Sequence, residues 1–372
     1  MRGRDRGTGA GRTGAAAVAA RRRWPAAVAL AVGGVALVLV SSLIGLPDIA
    51  PRLGFQILLH QLSHGYLFPS ACAGTGVGPT DCGRLTFIVW DLYLPEVLLA
   101  LLVGAALGLS GGALQGVFRN PLADPFLLGI SSGGTLGAAV LYVYRIGEAN
   151  AELYLPLFAF LGASATGLVV LAVARGRYGS VETLLLTGVA IANLLSAVLS
   201  LVLLYNPVGS EQVTFWLLGS LGLADWPVDG LVLGAVLVLG TLLALHGREL
   251  NLLQLGSDVA QSAGVDAARV RQRVLLLAAL LTGAAVAFTG IIGFVGLVSP
   301  HIVRRLFGSD YRVVLPGAAV FGGLFLLASS DASYLAFPTS LLPIGIFTAF
   351  SGVPFFLYLL YRQRRSSPMG AG

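Results

Sequence analysis

The sequence predicts an all-α, polytopic membrane protein of about ten transmembrane helices, and three observations carry that reading. Of 372 residues, 56% are hydrophobic and only 11% are charged, with a mean hydropathy of +0.86. A soluble chain carries roughly 25% charged residues. The arginines obey a single rule of sidedness. The polar stretch Gln115–Gly133, broken by Pro121 and Pro125, lies between two long apolar segments. Each proline there removes a backbone donor, so no single rod can pass through lipid and the chain must turn. Fifty glycines fit the same picture, because small residues let helix backbones approach closely in a membrane.

Taken in order, residues 1–23 form a disordered basic tail containing Arg2, Arg4, Arg6, Arg12, Arg21, Arg22 and Arg23. A cleaved signal peptide has the same basic-then-apolar order. The apolar run that follows is about 20 residues, long enough to span a bilayer, and no A-x-A site ends it, so a retained first helix is expected. Apolar segments follow one another at 24–45, 94–114, 126–144, 155–174, 184–205, 228–246, 273–290, 291–303, 313–330 and 343–361. With the N-terminus in the cytoplasm, only Arg52, Arg84 and Arg145 of the 23 basic residues fall in outer loops. That asymmetry is what the positive-inside rule requires, and it places residues 362–372 in a second cytoplasmic tail. The basic residues are scattered between spans rather than gathered on a patch, which excludes a nucleic-acid partner and leaves membrane lipid.

The first outer loop, 46–93, contains Cys72 and Cys82. Two cysteines in a Gly-rich loop facing an oxidising compartment read as a disulfide staple, two free thiols being the alternative. With no third cysteine and only four histidines, no metal site is expected. His301, alone beside Pro300, reads as a packing residue. The longest cytoplasmic polar stretch, 247–273, contains a short amphipathic helix over Leu255–Gly264, closed by its glycine.

An internal repeat sharpens the architecture. Gly104-Ala-Ala-Leu-Gly-Leu-Ser-Gly111 recurs as Gly283-Ala-Ala-Val-Ala-Phe-Thr-Gly290, and the same offset aligns Asn120-Pro121 with Ser299-Pro300. The copies fall in the second and seventh spans, an odd separation, so they run in opposite directions across the bilayer. Inverted repeats of this kind frame many transporters. Yet the span interiors are almost free of charge, whereas ion-coupled carriers need ionisable groups there. No G-x-x-x-x-G-K-[ST] loop is present and no catalytic constellation stands out. The chain has a transporter's build without a means of driving it, which points to energy supplied by a separate subunit.

The motifs themselves carry a family resemblance. Leu94-Pro95, Gly104-Ala-Ala-Leu107, Gln115-Gly116 and Arg119-Asn-Pro-Leu-Ala-Asp-Pro125 are followed in collinear order by Leu184-Leu-Leu-Thr-Gly-Val-Ala190 and Phe215-Trp-Leu-Leu-Gly-Ser-Leu221. Leu255-Gly-Ser-Asp-Val-Ala-Gln-Ser-Ala-Gly-Val-Asp266, Gly293-Phe-Val-Gly-Leu-Val-Ser-Pro-His301 and Leu342-Pro-Ile-Gly-Ile-Phe-Thr348 complete the series. Nearly everything after residue 85 resembles the FecCD-type permeases of iron-siderophore, heme and cobalamin ABC importers. The resemblance implies a type II ABC importer permease over 24–361, paired with a second copy or a paralogue in the cell membrane. It implies two cytoplasmic ATPase subunits, which bind the ATP and Mg, and an extracellular solute-binding protein. The cargo implied is a metal chelate, a ferric siderophore first and cobalamin or heme next, with no catalytic residue and no cofactor on this chain. A self-sufficient secondary carrier is the alternative from another class.

Residue by residue, the resemblance puts the ATPase-coupling surface at Leu255, Gly256, Asp258, Ala260, Gly264, Asp266 and Arg269. It puts a cytoplasmic gate at Ser180, Val181 and Glu182, and a transport path along the fifth and tenth spans around Asn193 and Thr348. Asn120, Pro121, Asp124, Pro125 and Pro300 are read as structural hinges, with the first four shaping the turn and capping the third helix. One departure stands outside. Where the family reads Arg-Leu-Pro-Arg, this chain has Tyr93-Leu-Pro-Glu96, and no arginine follows Asp331. Either Tyr93, Glu96 and Asp331 dock a binding protein that carries basic or aromatic residues, since like charges opposed across an interface cost affinity, or Tyr93 and Glu96 only mark a rim contributed mainly by a paired, non-identical permease.

Overall fold

The computed structural model describes residues 28, 30–41, 49–66, 70–146, 151–173, 181–207, 209–337 and 342–366, and among them every regular element is a helix. In chain order these are α1 (Leu30–Ser41), α2 (Pro51–Leu62), α3 (Pro79–Phe87), α4 (Leu94–Phe118), α5 (Ile130–Val143), α6 (Ala151–Val173), α7 (Val181–Tyr205) and α8 (Ser210–Leu217). They continue as α9 (Trp226–Ala235), α10 (Thr241–Leu245), α11 (Gly247–Gln254), α12 (Ser257–Ser262), α13 (Ala267–Thr289), α14 (Val295–Phe307), α15 (Tyr311–Ala336) and α16 (Ile344–Ser366). π-helical turns at Ile88–Tyr93 and Val236–Gly240 join α3 to α4 and α9 to α10. Two runs thus continue as single rods, Pro79–Phe118 of 40 residues and Trp226–Leu245 of 20 residues. Among the described residues six helices are long and apolar enough to cross a membrane, and three shorter apolar ones lie at α1, α5 and the start of α16. With α14 they match the ten expected spans. The N-terminal tail 1–23 lies outside the described residues, as do residues 367–372 of the C-terminal tail.

Segment 46–93 departs from expectation. Read as a loop, it contains α2 and α3, each started by a proline near its first position, where the missing N–H costs nothing. Cys72 and Cys82 are disulfide-bonded, tying the turn after residue 70 to α3. Trp90 stacks against Trp226 with ring centroids 5.1 Å apart, holding the long rod against α9.

α4 is the central helix, buried along most of its length, packed on α13 and α14 and most extensively on α15. Its glycines permit this. A Cβ on Gly104 would lie 2.3 Å from the Gly322 carbonyl oxygen, and one on Gly111 would lie 1.9 Å from that of Gly296. The two repeated octets sit in α4 and α13, which pack on each other. They end differently: Gly111 continues α4, whereas Gly290, at φ 67°, terminates α13.

The hinge forms where the prolines require it. α4 ends at Phe118, and Arg119 takes a left-handed φ of 51°. Asn120 Oδ1 accepts from the Leu122 N–H at 2.9 Å, and Asp124 Oδ1 accepts from the Phe126 N–H at 2.9 Å. Asp124 thereby caps the 3-10 turn Pro125–Leu128 rather than the third span, which starts only after Gly129 at φ 71°. Pro300 corrects the expectation more sharply. It is no hinge, because α14 runs through it unbroken. Proline withholds the N–H that would answer the carbonyl four residues earlier, that of Gly296. Gln115 Nε2 of α4 donates to that oxygen instead, at 3.3 Å, and also to the Leu297 oxygen at 3.3 Å.

Candidate coupling and transport site

At one end of the bundle, α11 lies across the ends of α4 and α15, and α12 follows it against α13. α11 buries Leu250 and Leu253 and turns two amides toward its neighbours. Asn251 Nδ2 donates to Asp310 Oδ1 at 2.6 Å, and its Oδ1 accepts from the Tyr311 N–H at 2.9 Å. Gln254 Nε2 donates to the Gly116 carbonyl at 2.7 Å. One eight-residue helix is therefore bonded to the last turn of α4 and to the first residue of α15. Beneath it, the Arg304 guanidinium donates to Gln115 Oε1, which carries the connection on to α14. The Asn251 amide, and then the Arg312 N–H, hold the Asp310 carboxyl below the usual carboxylate range. At the hinge nearby, burial pushes the Asp124 carboxyl up to about 6 against the pull of the Phe126 N–H.

The residues expected to couple lie on the far side of this arrangement. The short helix is α12, with Leu255 and Gly256 in the turn before it, Gly256 at φ 116°. Leu255 (66% exposed) and Val259 (47%) form an apolar outward pair, while Ala260 is buried. Gly264 closes the helix at φ 82°, with the Val265 N–H on the Ala260 carbonyl at 2.9 Å. Asp266 caps α13, accepting from the Ala268 and Arg269 N–H groups at 3.1 Å, and pairs with the Arg269 guanidinium at 3.0 Å. Asp258 is exposed. Arg271 Nη2 reaches back to Ser257 Oγ at 3.1 Å and fixes α12 against α13. Asn251, Gln254, Asp310 and Arg304 were not among the expected site residues. Two amides three apart, flanked by Leu250 and Leu253, were the available signal.

Of the gate residues, Ser180 lies outside the described residues, Val181 begins α7, and Glu182 is exposed in its first turn. Asn193 is exposed on α7, a helix of which only 6% of the apolar window is buried. Thr348 is not on an open face. It is fully buried, its hydroxyl donating to the Gly345 carbonyl at 3.0 Å, because α16 turns Ile344, Thr348 and Gly352 inward against the Phe294 segment. The open side of α16 carries Phe350, Val353 and Leu357. His301 packs edge-on against Phe355 at 6.4 Å.

The expected docking residues sit at the opposite end of α4 and α15, and two of them are not available to a partner. Tyr93 (6% exposed) and Asp331 (5%) are buried. The Tyr93 hydroxyl donates to the Ser41 carbonyl at 2.7 Å, and the Ser41 hydroxyl donates to Asp331 Oδ2. These side chains clasp α1 to α4 and α15, a use of their polar atoms that short-range sequence patterns do not reveal. Glu96 alone faces open space, taking the Tyr334 hydroxyl at 2.5 Å on Oε2.

Comparison with known proteins settles the ancestry of this arrangement. Residues 34–362 match the FecCD transport family along most of the chain. The chain belongs to the FecCD family. Its relatives include the hemin transport system permease protein HmuU of Yersinia pestis, 41% identical over 282 residues that cover 74% of this chain and 84% of that protein. The cobalamin import system permease protein BtuC of Halobacterium salinarum is 37% identical over 364 residues, covering 91% of this chain and 95% of that one. Among solved structures, an inward-facing conformation of a chain assigned to the metal-chelate type of ABC transporter superposes with a TM-score of 0.72 at 27% identity, covering 89% of this chain and 98% of that one. This FecCD member is thus a multi-pass membrane permease, all-α, with about ten spans.

Proposed function

We propose that this chain is the transmembrane permease subunit of an ABC importer that moves a metal chelate, most specifically a ferric siderophore, into the cytoplasm by alternating access. The observation that carries the reading is the α11–α12 segment. It presents Leu255 and Val259 outward while Asn251 and Gln254 bond it to both α15 and α4. A force applied at that surface moves the two most extensively packed helices of the bundle. ATP and Mg belong to partner ATPases seated on α12, which puts both chain termini on the cytoplasmic side of the cell membrane. The apolar, nearly unburied α7 and the open side of α16 supply the surface for a second permease and for the path between them. A path with few charges suits a bulky chelate whose metal is already wrapped, since no protein ligand has to replace its shell. An extracellular solute-binding protein delivers the cargo.

Cobalamin and heme are the second reading, favoured by the high coverage of the cobalamin relative and the identity to the hemin relative. Uptake of labelled ferric siderophore, hemin and cobalamin at nanomolar supply, in cells with and without the gene, separates them. Loss of the siderophore signal alone is the expected result. Loss of only another cargo overturns the substrate and keeps the importer. Uptake by the purified chain in vesicles without an ATPase would instead establish a self-sufficient carrier.

A further inference from the structure

The end of the bundle opposite α11 and α12 holds a cavity of about 410 Å³. Six aromatic side chains line it: Tyr142, Phe215, Trp216, Phe288, Tyr334 and Phe337. Among its lining residues the single charged side chain is Glu96, and no arginine, lysine or histidine is present. Tyr334 occupies Glu96 Oε2, while Oε1 takes no donor among the described residues. Asp331 adds a second carboxyl nearby, already engaged by Ser41. In the same wall the Trp216 indole N–H is buried and finds no acceptor among the described residues. Aromatic faces and a carboxylate both attract a cation with an apolar flank, and both repel an anion. The volume falls at the low end of small-molecule sites.

We propose that this cavity is a binding site for an organic cation, an alkylammonium or guanidinium group. The cation's charge meets Glu96 Oε1, and its carbon stem lies on the aromatic walls. The donor left over at Trp216 suits a carbonyl carried next to that stem. The same chemistry comes either as a free amine or as a basic side chain of an extracellular protein. The assignment does not depend on the importer reading, because binding here requires neither an ATPase nor cargo.

Calorimetric titration of the full-length chain in nanodiscs with L-argininamide, and with neutral L-citrullinamide as control, tests it. Saturable binding of argininamide, at least tenfold tighter than that of citrullinamide, is expected. E96Q keeps the shape of the site and should lower argininamide affinity about tenfold. F215L removes an exposed ring at little risk to folding and should lower it two- to fivefold. Equal binding of the two amides, or a folded E96Q chain with undiminished affinity, overturns the proposal. Once binding is established, displacement of argininamide by the cognate solute-binding protein identifies a side chain as the natural occupant, and its absence identifies a free amine.

Discussion

Pro300 and Pro121 occupy equivalent places in the internal repeat, yet one lies within a helix and the other follows the end of one. The difference is Gln115, which answers the carbonyl that Pro300 leaves open and accepts from Arg304 through its other end. Replacing Gln115 by Leu strands a buried carbonyl and takes one acceptor from the Arg304 guanidinium, leaving it Tyr311, so a loss of about 2–4 kcal/mol is expected. Thermal unfolding in detergent reads it, and an unshifted melting temperature would remove the account. The local sequence around Pro300 contained no trace of this, because the donor sits on a different helix. Asp124 gives a pH prediction of definite sign. Its carboxyl titrates near ~3.9 in an unfolded chain and at about 6 in the fold, so the folded state holds the proton more tightly. That contribution is complete below the unfolded value and is lost as pH rises through about 6, a span of at most about 3 kcal/mol. D124N retains an acceptor for the Phe126 N–H and should flatten the stability profile between roughly pH 4 and 6. Asp310, held low by Asn251, has the opposite sign: its stabilisation is present above the unfolded value and lost as pH falls through the lowered one.

At the scale of elements, hydropathy and arginine placement were sufficient to set out the spans, because both are local properties of the chain. The hinge at Asn120-Pro121 was legible for the same reason. What remained hidden depended on rotation about a helix axis or on contact between distant helices. Thr348 lies on the inward side of α16, and Tyr93 and Asp331 are closed beneath α1. α2 and α3 were missed because both are short, α3 is polar, and each opens on a proline, which reads as a loop signal although proline at a first helical position favours the helix. Glycine spacing can be tested directly. A methyl at Gly111 would have to occupy the Gly296 carbonyl, so G111A should cost more than about 3 kcal/mol or prevent assembly. Gly234 on α9 meets nothing within 4 Å, and G234A should be neutral or stabilising by up to about 1 kcal/mol. Comparable expression and melting of the two variants would contradict the packing described for α4.

For the whole molecule, the bonds from α11 to α4 and α15 predict a separation of activities. An N251A/Q254A chain, assembled with the ATPase proposed above, should retain basal ATP hydrolysis while transport falls on the order of tenfold, the three lost bonds being worth about 1 kcal/mol each. Equal loss of hydrolysis and transport would mean that the amides only stabilise the fold. The clasp at Ser41 bears on how the molecule is made. Its hydroxyl meets Asp331, 290 residues further along the chain, in the ninth span. The bond from Tyr93 to the Ser41 carbonyl can close 52 residues after α1 is made, whereas the bond to Asp331 must wait for the ninth span. Tyr93 therefore keeps α1 beside the growing bundle, so that the Ser41 hydroxyl is in place to donate to Asp331 when α15 arrives.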